Sequence, residues 1–214
     1  MIKGEITLCG TIARTAEVKK SSEGHEFISF PVKYKAVGRD GSEQEVEITV
    51  SADGGKQSTS VFTTGRRISV KGTMTIRKLG DKLYYNLRSE SEPALVSSTE
   101  EDVLEGTMHF EGKTGKKDIT SRKDKKGREF IPFQGFDKGK DGSGNPEFIW
   151  FNFLLFHPTD EQKAVLKPST WMDVDGEYSL TSYKGRLSND VVVSAVGVHA
   201  WDDSKDGKNN NGAN

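Results

Sequence analysis

The amino-acid sequence predicts an all-β protein made of two successive five-stranded barrels. Two observations carry this prediction: apolar and polar residues alternate along most of the chain, and the order of the motifs repeats after about 103 residues. A chain of 214 residues is long enough for two domains of about 100 residues each. Its 23 glycines and its hydrophobic content of 33% are typical of small domains rich in turns.

The repeat is visible in two pairs of matching segments. Residues 24–30 (GHEFISF) match residues 127–133 (GREFIPF), and residues 68–72 (ISVKG) match residues 172–176 (MDVDG). Shared β-composition with coincident glycines is the alternative explanation, but the matches keep their order and spacing. We therefore interpret the chain as a tandem duplication.

Strands dominate both copies. Residues 67–77 and 172–180 alternate between apolar and polar side chains, which is the pattern of a half-buried strand. Turn signals at residues 38–41 and 141–146 separate the strands of hairpins, and only residues 159–167 look helical. About five strands per copy, with a short helix in the second copy, is the architecture of the OB barrel.

The domain boundaries follow from composition. We expect an N-terminal OB domain at residues 1–92, an acidic linker at 93–103, a C-terminal OB domain at 104–201 and a disordered polar tail at 202–214. The net charge of −1 averages two modestly basic domains and the acidic linker. Local basic patches are therefore compatible with a polyanionic partner.

The sequence lacks the motifs that mark several classes of function. Cys9 is the only cysteine, so neither an intramolecular disulfide nor a cysteine-rich zinc site is expected. The four histidines show no metal-ligand spacing, and neither a catalytic motif nor a complete phosphate-binding loop is present. The sequence thus predicts no enzyme, metal, cofactor or small-molecule substrate. Without an apolar run of signal or membrane-span length, a soluble cytoplasmic protein with no membrane partner is expected.

The ordered motifs resemble the bacterial single-stranded DNA-binding protein family. Residues 10–14 (GTIAR) are similar to the end of its first strand, residues 70–78 (VKGTMTIRK) to its fourth strand, and residues 150–156 (WFNFLLF) to its third. The resemblance extends over residues 1–200. It implies that Trp150 and Phe156 are base-stacking platforms, and that four barrels form the working unit, which predicts a homodimer. It also implies a role in DNA replication, repair or recombination.

Two departures from the family pattern accompany the resemblance. Val46 stands where the stacking Trp would fall in the first copy, and the C-terminal tail lacks the family's acidic, apolar-tipped end. The first copy is therefore expected to stack bases less well, and recruitment of partners through the tail is not expected.

Aromatic residues on outward faces are the candidate stacking sites. In residues 149–156 one alternating set is wholly apolar, so the other set, with Trp150, Asn152 and Phe156, faces outward. Such exposed aromatics either stack on bases or fill an interface between domains or subunits. In the first copy Tyr84 shares the outward face with Arg88. The two residues either stack on a base and bind a phosphate, or they belong to an ordinary solvated face of the sheet.

Basic residues supply the candidate phosphate contacts. Three of them are in phase on one strand, and others cluster at residues 113–117 and 122–128. Tyr34 is a further candidate for nucleic-acid binding because it lies between two lysines, although it is in phase with core residues. The candidate cations are Arg67, Lys71, Arg77, Lys78, Lys33, Arg88, Lys113, Lys125 and Arg128.

The predicted function is sequence-independent binding of single-stranded DNA through base stacking and phosphate contacts. An OB-fold protein-interaction module with weak DNA affinity is the alternative from another class, because a fold does not settle a function. RNA is a further alternative, because stacking does not register the 2′-hydroxyl.

Overall fold

The computed structural model describes residues 3–140, 144 and 146–200, so the predicted tail at 202–214 lies outside the described residues. Within these residues the chain forms thirteen strands and one α-helix. The elements are β1 (Lys3–Ile12), β2 (Glu17–Lys20), β3 (Glu26–Val37), β4 (Glu43–Asp53), β5 (Arg67–Leu79), β6 (Lys82–Ser89), β7 (Ala94–Leu95), β8 (Val103–Thr114), β9 (Arg122–Lys123), β10 (Glu129–Lys140), β11 (Pro146–Phe156), α1 (Asp160–Val165), β12 (Trp171–Tyr183) and β13 (Arg186–Val198). The one helix is too short and too polar to cross a membrane.

Five strands close the first barrel in the order β1-β3-β4-β6-β5, with β5 returning to β1. The pairing of β4 with β6 is parallel and the other four pairings are antiparallel. The strand β1 closes the barrel by pairing with β5 and, at its end, with β3. A Cβ at Gly10 would lie 2.4 Å from the carbonyl oxygen of Lys33, so this closure requires glycine.

The second barrel repeats this arrangement with β8, β10, β11, β13 and β12, and its single parallel pairing joins β11 to β13. Its register also repeats, because the pair Phe133↔Phe153 lies 103 residues after the pair Phe30↔Val50. The helix α1 lies between β11 and β12, within the residues 159–167 predicted to be helical, and it is capped by Thr159. The prediction of two tandem five-stranded OB barrels with a short helix in the second is confirmed.

The alternation of the sequence becomes the division between core and surface. Along β5, Val70 and Met74 are buried while Lys71 and Arg77 are exposed, as a period of two requires. Each barrel encloses aromatic side chains: Phe30 stacks on Phe62 in the first barrel with ring centroids 5.2 Å apart. In the second barrel Phe110, Phe133, Phe151 and Phe153 pack together.

The two barrels are joined into one sheet by the antiparallel pairing of β1 with β8. Glu5 pairs with Thr107, its own equivalent in the second copy 102 residues later, so the first strands meet about a local pseudo-twofold axis. On either side of this axis a glycine approaches the opposite backbone. A Cβ at Gly106 would lie 2.0 Å from the carbonyl oxygen of Glu5, and one at Gly4 would lie 3.0 Å from that of Thr107.

Gly106→Ala is expected to destabilise the junction between the barrels. The added Cβ can be accommodated only if backbone moves, so we expect the free energy of unfolding to fall by about 1–3 kcal/mol and the melting temperature by about 3–10 °C. Differential scanning calorimetry measures this change. Gly139→Ala is the control, because a Cβ there meets nothing within 4 Å. Equal melting temperatures for the two variants would contradict the close approach at the junction.

Side chains also connect the barrels. The hydroxyl of Tyr34 donates a hydrogen bond of 3.1 Å to the carbonyl oxygen of Leu180 in the second barrel. The prediction that Tyr34 contacts nucleic acid is therefore wrong, because this ring is 8% exposed and lies between the barrels. Burial, followed by the charges of Asp102 and Glu105, raises its pKa to about 12.

The residues predicted as a linker lie against the first barrel. Leu95 of β7 pairs with Ile68 of β5, and the carboxylate of Asp102 accepts a hydrogen bond of 2.8 Å from the backbone N–H of Lys35. Asp102 of this acidic segment thus makes structural contacts with the first barrel. The division into domains at 1–92 and 104–201 stays a prediction.

Candidate nucleic-acid interface

A stripe of aromatic rings covers the outer face of the β10–β11 hairpin. The strand register places Phe136 opposite Trp150 and Phe130 opposite Phe156. Phe136 lies against both neighbours, with ring centroids 4.9 Å from Trp150 and 5.2 Å from Phe148. The centroids of Phe130 and Phe156 are 6.4 Å apart. The rings therefore form two clusters on one face of the hairpin, one of Phe136, Phe148 and Trp150 and one of Phe130 and Phe156.

The stripe is open to solvent. Trp150 is 49% exposed, Phe156 44% and Phe148 37%. The outward direction predicted for Trp150 and Phe156 is what the structure shows, and neither ring lies between the two barrels. Contiguous exposed aromatic surface marks a binding site more often than chance, because its hydration is unfavourable.

The loop from Gly115 to Arg122 forms the second wall of a cleft beside the stripe. The cleft has a volume of about 670 Å³, and Phe136, Phe148 and Trp150 line one side. The exposed cations Lys116, Lys117 and Arg122 line the loop side. Rings and positive charges therefore face the same space.

Two amide side chains, those of Gln134 and Asn152, also line the cleft. Gln134 donates from Nε2 to Oδ1 of Asn152 at 2.8 Å, and Asn152 donates from Nδ2 to Ser188 at 2.8 Å and Asp190 at 3.1 Å. Side chains from β10 and β13 therefore fix the orientation of the Asn152 amide. This is the amide that indicated an outward face in the sequence. Amides held in this way can exchange hydrogen bonds with the edges of bases.

Sequence reasoning missed three rings of the stripe: Phe130, Phe136 and Phe148. A signal was available for all three: Phe130 and Phe136 are out of phase with the core residues Ile131 and Phe133, and Phe148 is in phase with Trp150. The pairing of Phe136 with Trp150, however, depends on the register of a hairpin whose turn the pattern alone does not place.

The corresponding face of the first barrel is charged. Counting back 103 residues, Lys33 replaces Phe136, Glu45 replaces Phe148, Glu47 replaces Trp150 and Asp53 replaces Phe156, and the register Lys33↔Glu47 repeats Phe136↔Trp150. The expectation that Val46 occupies the position of the Trp is therefore wrong by one residue. Since a shift of one residue reverses the face of a strand, Val46 is half-buried and Glu47 points outward.

Ion pairs neutralise the cations on this face of the first barrel. Lys33 pairs with Glu45 at 2.9 Å, and this hydrogen bond raises the pKa of Lys33. Arg14 binds Glu47 through two hydrogen bonds, of 2.9 and 3.2 Å. Of the predicted cations, Arg88 pairs with Asp53 and its guanidinium lies 5.9 Å from the ring centroid of Phe27.

Arg67 is committed to the structure of the first barrel. Its guanidinium pairs with Asp102 at 2.8 Å and donates to Oγ1 of Thr11 at 3.0 Å, and its side chain is 11% exposed. The prediction that Arg67 contacts phosphate is therefore replaced by a structural role, in which it anchors the segment before β8. The sequence placed Arg67 on the outward face correctly but could not show that Asp102 covers it.

The other candidates of the first barrel remain on its surface. Lys71 and Arg77 are exposed on β5, with the half-buried Lys78 beside them. Tyr84 is 46% exposed and pairs with Arg77 across β5 and β6. The nucleic-acid contacts of these four residues stay predictions.

The candidates of the second barrel lie around the cleft loop. Lys113 is half-buried on β8, and Lys125 is exposed at the tip of the 124–128 turn. Asp124 accepts hydrogen bonds from the backbone N–H groups of Lys126 and Arg128 and from Nε of Arg128, which lowers the pKa of its carboxyl. Arg128 therefore helps to shape this turn, and its contact with phosphate stays a prediction.

These features define the chain as a tandem OB-fold protein whose second barrel carries an exposed aromatic cleft with cations on its rim. No protein-family model and no curated protein matches the sequence.

Solved structures resemble the chain at low sequence identity. A deletion mutant of the single-stranded DNA binding protein from Thermus aquaticus is 15% identical, with 93% of this chain and 95% of that chain covered and a TM-score of 0.46. The Plasmodium falciparum SSB complex with ssDNA covers 44% of this chain and 95% of that chain at 14% identity and a TM-score of 0.34. The priB protein from Ralstonia solanacearum covers 44% and 97% at 12% identity and a TM-score of 0.32. At these identities the likeness is one of fold.

Proposed function

We propose that this protein binds single-stranded DNA without sequence preference and without catalysing a reaction on it. The observation that carries the proposal is the cleft of the second barrel, where the exposed rings of Phe148 and Trp150 and the half-buried ring of Phe136 face the cations Lys116, Lys117 and Arg122. Binding of single strands needs these two elements together, because bases stack on aromatic faces while cations follow the phosphates.

The geometry favours unpaired strands over duplex. Stacking on a side chain requires a base whose face is free, and each stacked base contributes about 1–3 kcal/mol. Every base has such a face, so recognition by Trp150 and its neighbours is tolerant of sequence. Gln134 and Asn152, which also line the cleft, supply hydrogen bonds to base edges as a secondary contribution.

We infer that the second barrel supplies most of the affinity. In the first barrel Glu47 and Asp53 replace the rings of Trp150 and Phe156, and both carboxylates already hold arginines. A phosphate on that face would meet carboxylates and would have to compete for the arginines. The first barrel then acts chiefly as the support against which the second is held.

The further parts of the proposal come from the family resemblance. A homodimer would assemble four barrels and two aromatic clefts. The role would be to coat exposed strands in the cytoplasm during DNA replication, repair or recombination.

Removing the cations of the cleft tests the proposal. For the triple variant K116A/K117A/R122A we expect weaker binding to labelled oligo-dT and a salt dependence whose logarithmic slope falls by about 2, because single strands release about 0.7 counterions per neutralised phosphate. Fluorescence anisotropy at several salt concentrations measures both effects.

The control carries the same change of charge away from the cleft. K19A/K20A/K56A removes three exposed lysines of the first barrel and should leave the slope unchanged. If the slope of the salt dependence falls equally in both triple variants, binding is spread over the surface and the cleft is not the site. If the wild-type protein does not bind oligo-dT at low salt, the protein-interaction alternative replaces DNA binding, and stronger binding to oligo-U would indicate RNA.

A further inference from the structure

We propose that the second barrel binds a divalent transition-metal ion of the Zn²⁺ type through His109, Glu111 and Asp173. Each residue offers one ligand atom, and the three atoms all lie within 4.8 Å of one another. The three residues lie outside the aromatic cleft, so the proposal is independent of DNA binding.

The strands bring the ligands together. His109 and Glu111 are two residues apart on β8, so both side chains point outward. The register pairs His109 with Asp175 and Glu111 with Asp173 on β12. Four side chains of metal-binding type therefore form a rectangle on one face of two hydrogen-bonded strands, although the histidines show no metal spacing along the sequence.

Hydrogen bonds orient the ligands as in established metal sites. Nδ1 of His109 lies 2.6 Å from Oδ1 of Asp175, and its Nε2 faces the carboxylate of Glu111 at 3.4 Å. Asp173 in turn lies 2.6 Å from Nδ1 of His199, the residue directly after β13. A carboxylate that holds the second nitrogen of a histidine fixes its tautomer and its ring orientation for the metal. Asp175 and His199 are thus positioning residues.

The donor set selects the ion. One imidazole nitrogen and two carboxylate oxygens suit Zn²⁺, with water at a fourth position. Bonds of about 2.1 Å place tetrahedral ligand atoms about 3.4 Å apart, so the half-exposed His109 and Glu111 must close on the ion by rotation about their side-chain bonds. The ion would also offset the repulsion among Glu111, Asp173 and Asp175, three carboxylates on one face.

Binding would stabilise the fold. The ligands join β8 to β12, and β8 is also the strand that pairs with β1 of the first barrel. An ion bound only by the folded state raises the melting temperature by mass action. At an ion concentration of 100 times the dissociation constant, we expect a rise of about 5 °C or more.

Titration of the metal-free full-length protein with Zn²⁺ by isothermal calorimetry tests the site. We expect one ion per chain, loss of that binding in His109→Asn, and an affinity lowered by about 10- to 100-fold in Asp175→Asn. His25→Asn is the matched control, because His25 is an exposed histidine that also lies near a carboxylate, Glu23, at 3.7 Å. The absorption spectrum of the Co²⁺ form reports the coordination geometry independently.

The outcomes separate a site from adventitious binding. Melting curves without metal should coincide for wild type and H109N, since His109 is half-exposed and outside the core. The proposal is overturned if wild type binds no Zn²⁺, if H109N binds as wild type does, or if H25N loses as much affinity as H109N. None of these results affects oligo-dT binding, so the cleft and the metal site are tested separately.

Discussion

Trp150→Ala is expected to lower the affinity for oligo-dT by about 10- to 100-fold, the largest effect on DNA binding of any single substitution. The ring is 49% exposed and packs against Phe136 in the cleft, so its removal costs one stacked base at about 1–3 kcal/mol. The loss should persist at high salt, because stacking releases no counterions. Fluorescence anisotropy of a labelled oligonucleotide measures the affinity without depending on tryptophan emission.

Tyr183→Ala is the matched control for this substitution. Tyr183 is 59% exposed on the β12–β13 hairpin, where Lys184 covers its ring, and it does not line the cleft. Its removal should leave the affinity unchanged. An equal loss in both variants, or a wild-type affinity in W150A, would contradict the placement of the site. The melting temperature of W150A should stay close to that of wild type, since the ring contributes little to the core.

Asn189→Leu is expected to reduce the free energy of unfolding by about 2–5 kcal/mol. Oδ1 of Asn189 accepts hydrogen bonds from the hydroxyls of Tyr178 at 2.8 Å and Tyr85 at 3.3 Å, and Tyr85 belongs to the other barrel. All three side chains are buried, so leucine leaves two hydroxyls without their acceptor, at about 1–3 kcal/mol each. Chemical denaturation monitored by circular dichroism measures the change.

Asn86→Leu gives the corresponding change at a half-exposed position of β6 and should alter stability by less than about 0.5 kcal/mol. Tyr85→Phe removes the donor of the bond between the barrels, so N189L should cost less in the Y85F background than in wild type. Full additivity of the two substitutions would contradict the coupling between barrels. Asn189 also donates to the carbonyl oxygen of Trp150 at 3.3 Å, so N189L should weaken DNA binding as well.

The parts of the fold that depend on local pattern were predictable from the sequence. The alternation in β5 and β12 marks their buried faces, and the first strand of each copy contains a glycine, Gly10 or Gly112, where barrel closure leaves no room for a Cβ. The outward direction of Trp150 and Phe156 follows from the same period of two. These properties were accessible because each is determined by residues that are neighbours along the chain.

Contacts between distant segments changed the roles of several predicted residues. Tyr34 and Arg67 carry the expected chemistry, but their surroundings change their roles. The second barrel covers Tyr34, and Asp102 forms an ion pair with Arg67. Conversely, Phe136 and Phe148 gained a role only when the hairpin register placed them beside Trp150. A side chain's chemistry is local, whereas its exposure and its partners depend on where the rest of the chain folds.

The sequence by itself determined that this protein is a duplicated all-β chain with two OB barrels and an outward Trp150. The tertiary structure alone decided that the barrels join through β1 and β8, that one barrel presents rings where the other presents ion pairs, and that His109 and His199 meet the acids of β12. Strand patterns specify which face of a strand is buried. Register and barrel closure specify which residues share a surface. Both arise from pairings between strands that can lie about 100 residues apart in the sequence, as β1 and β8 do.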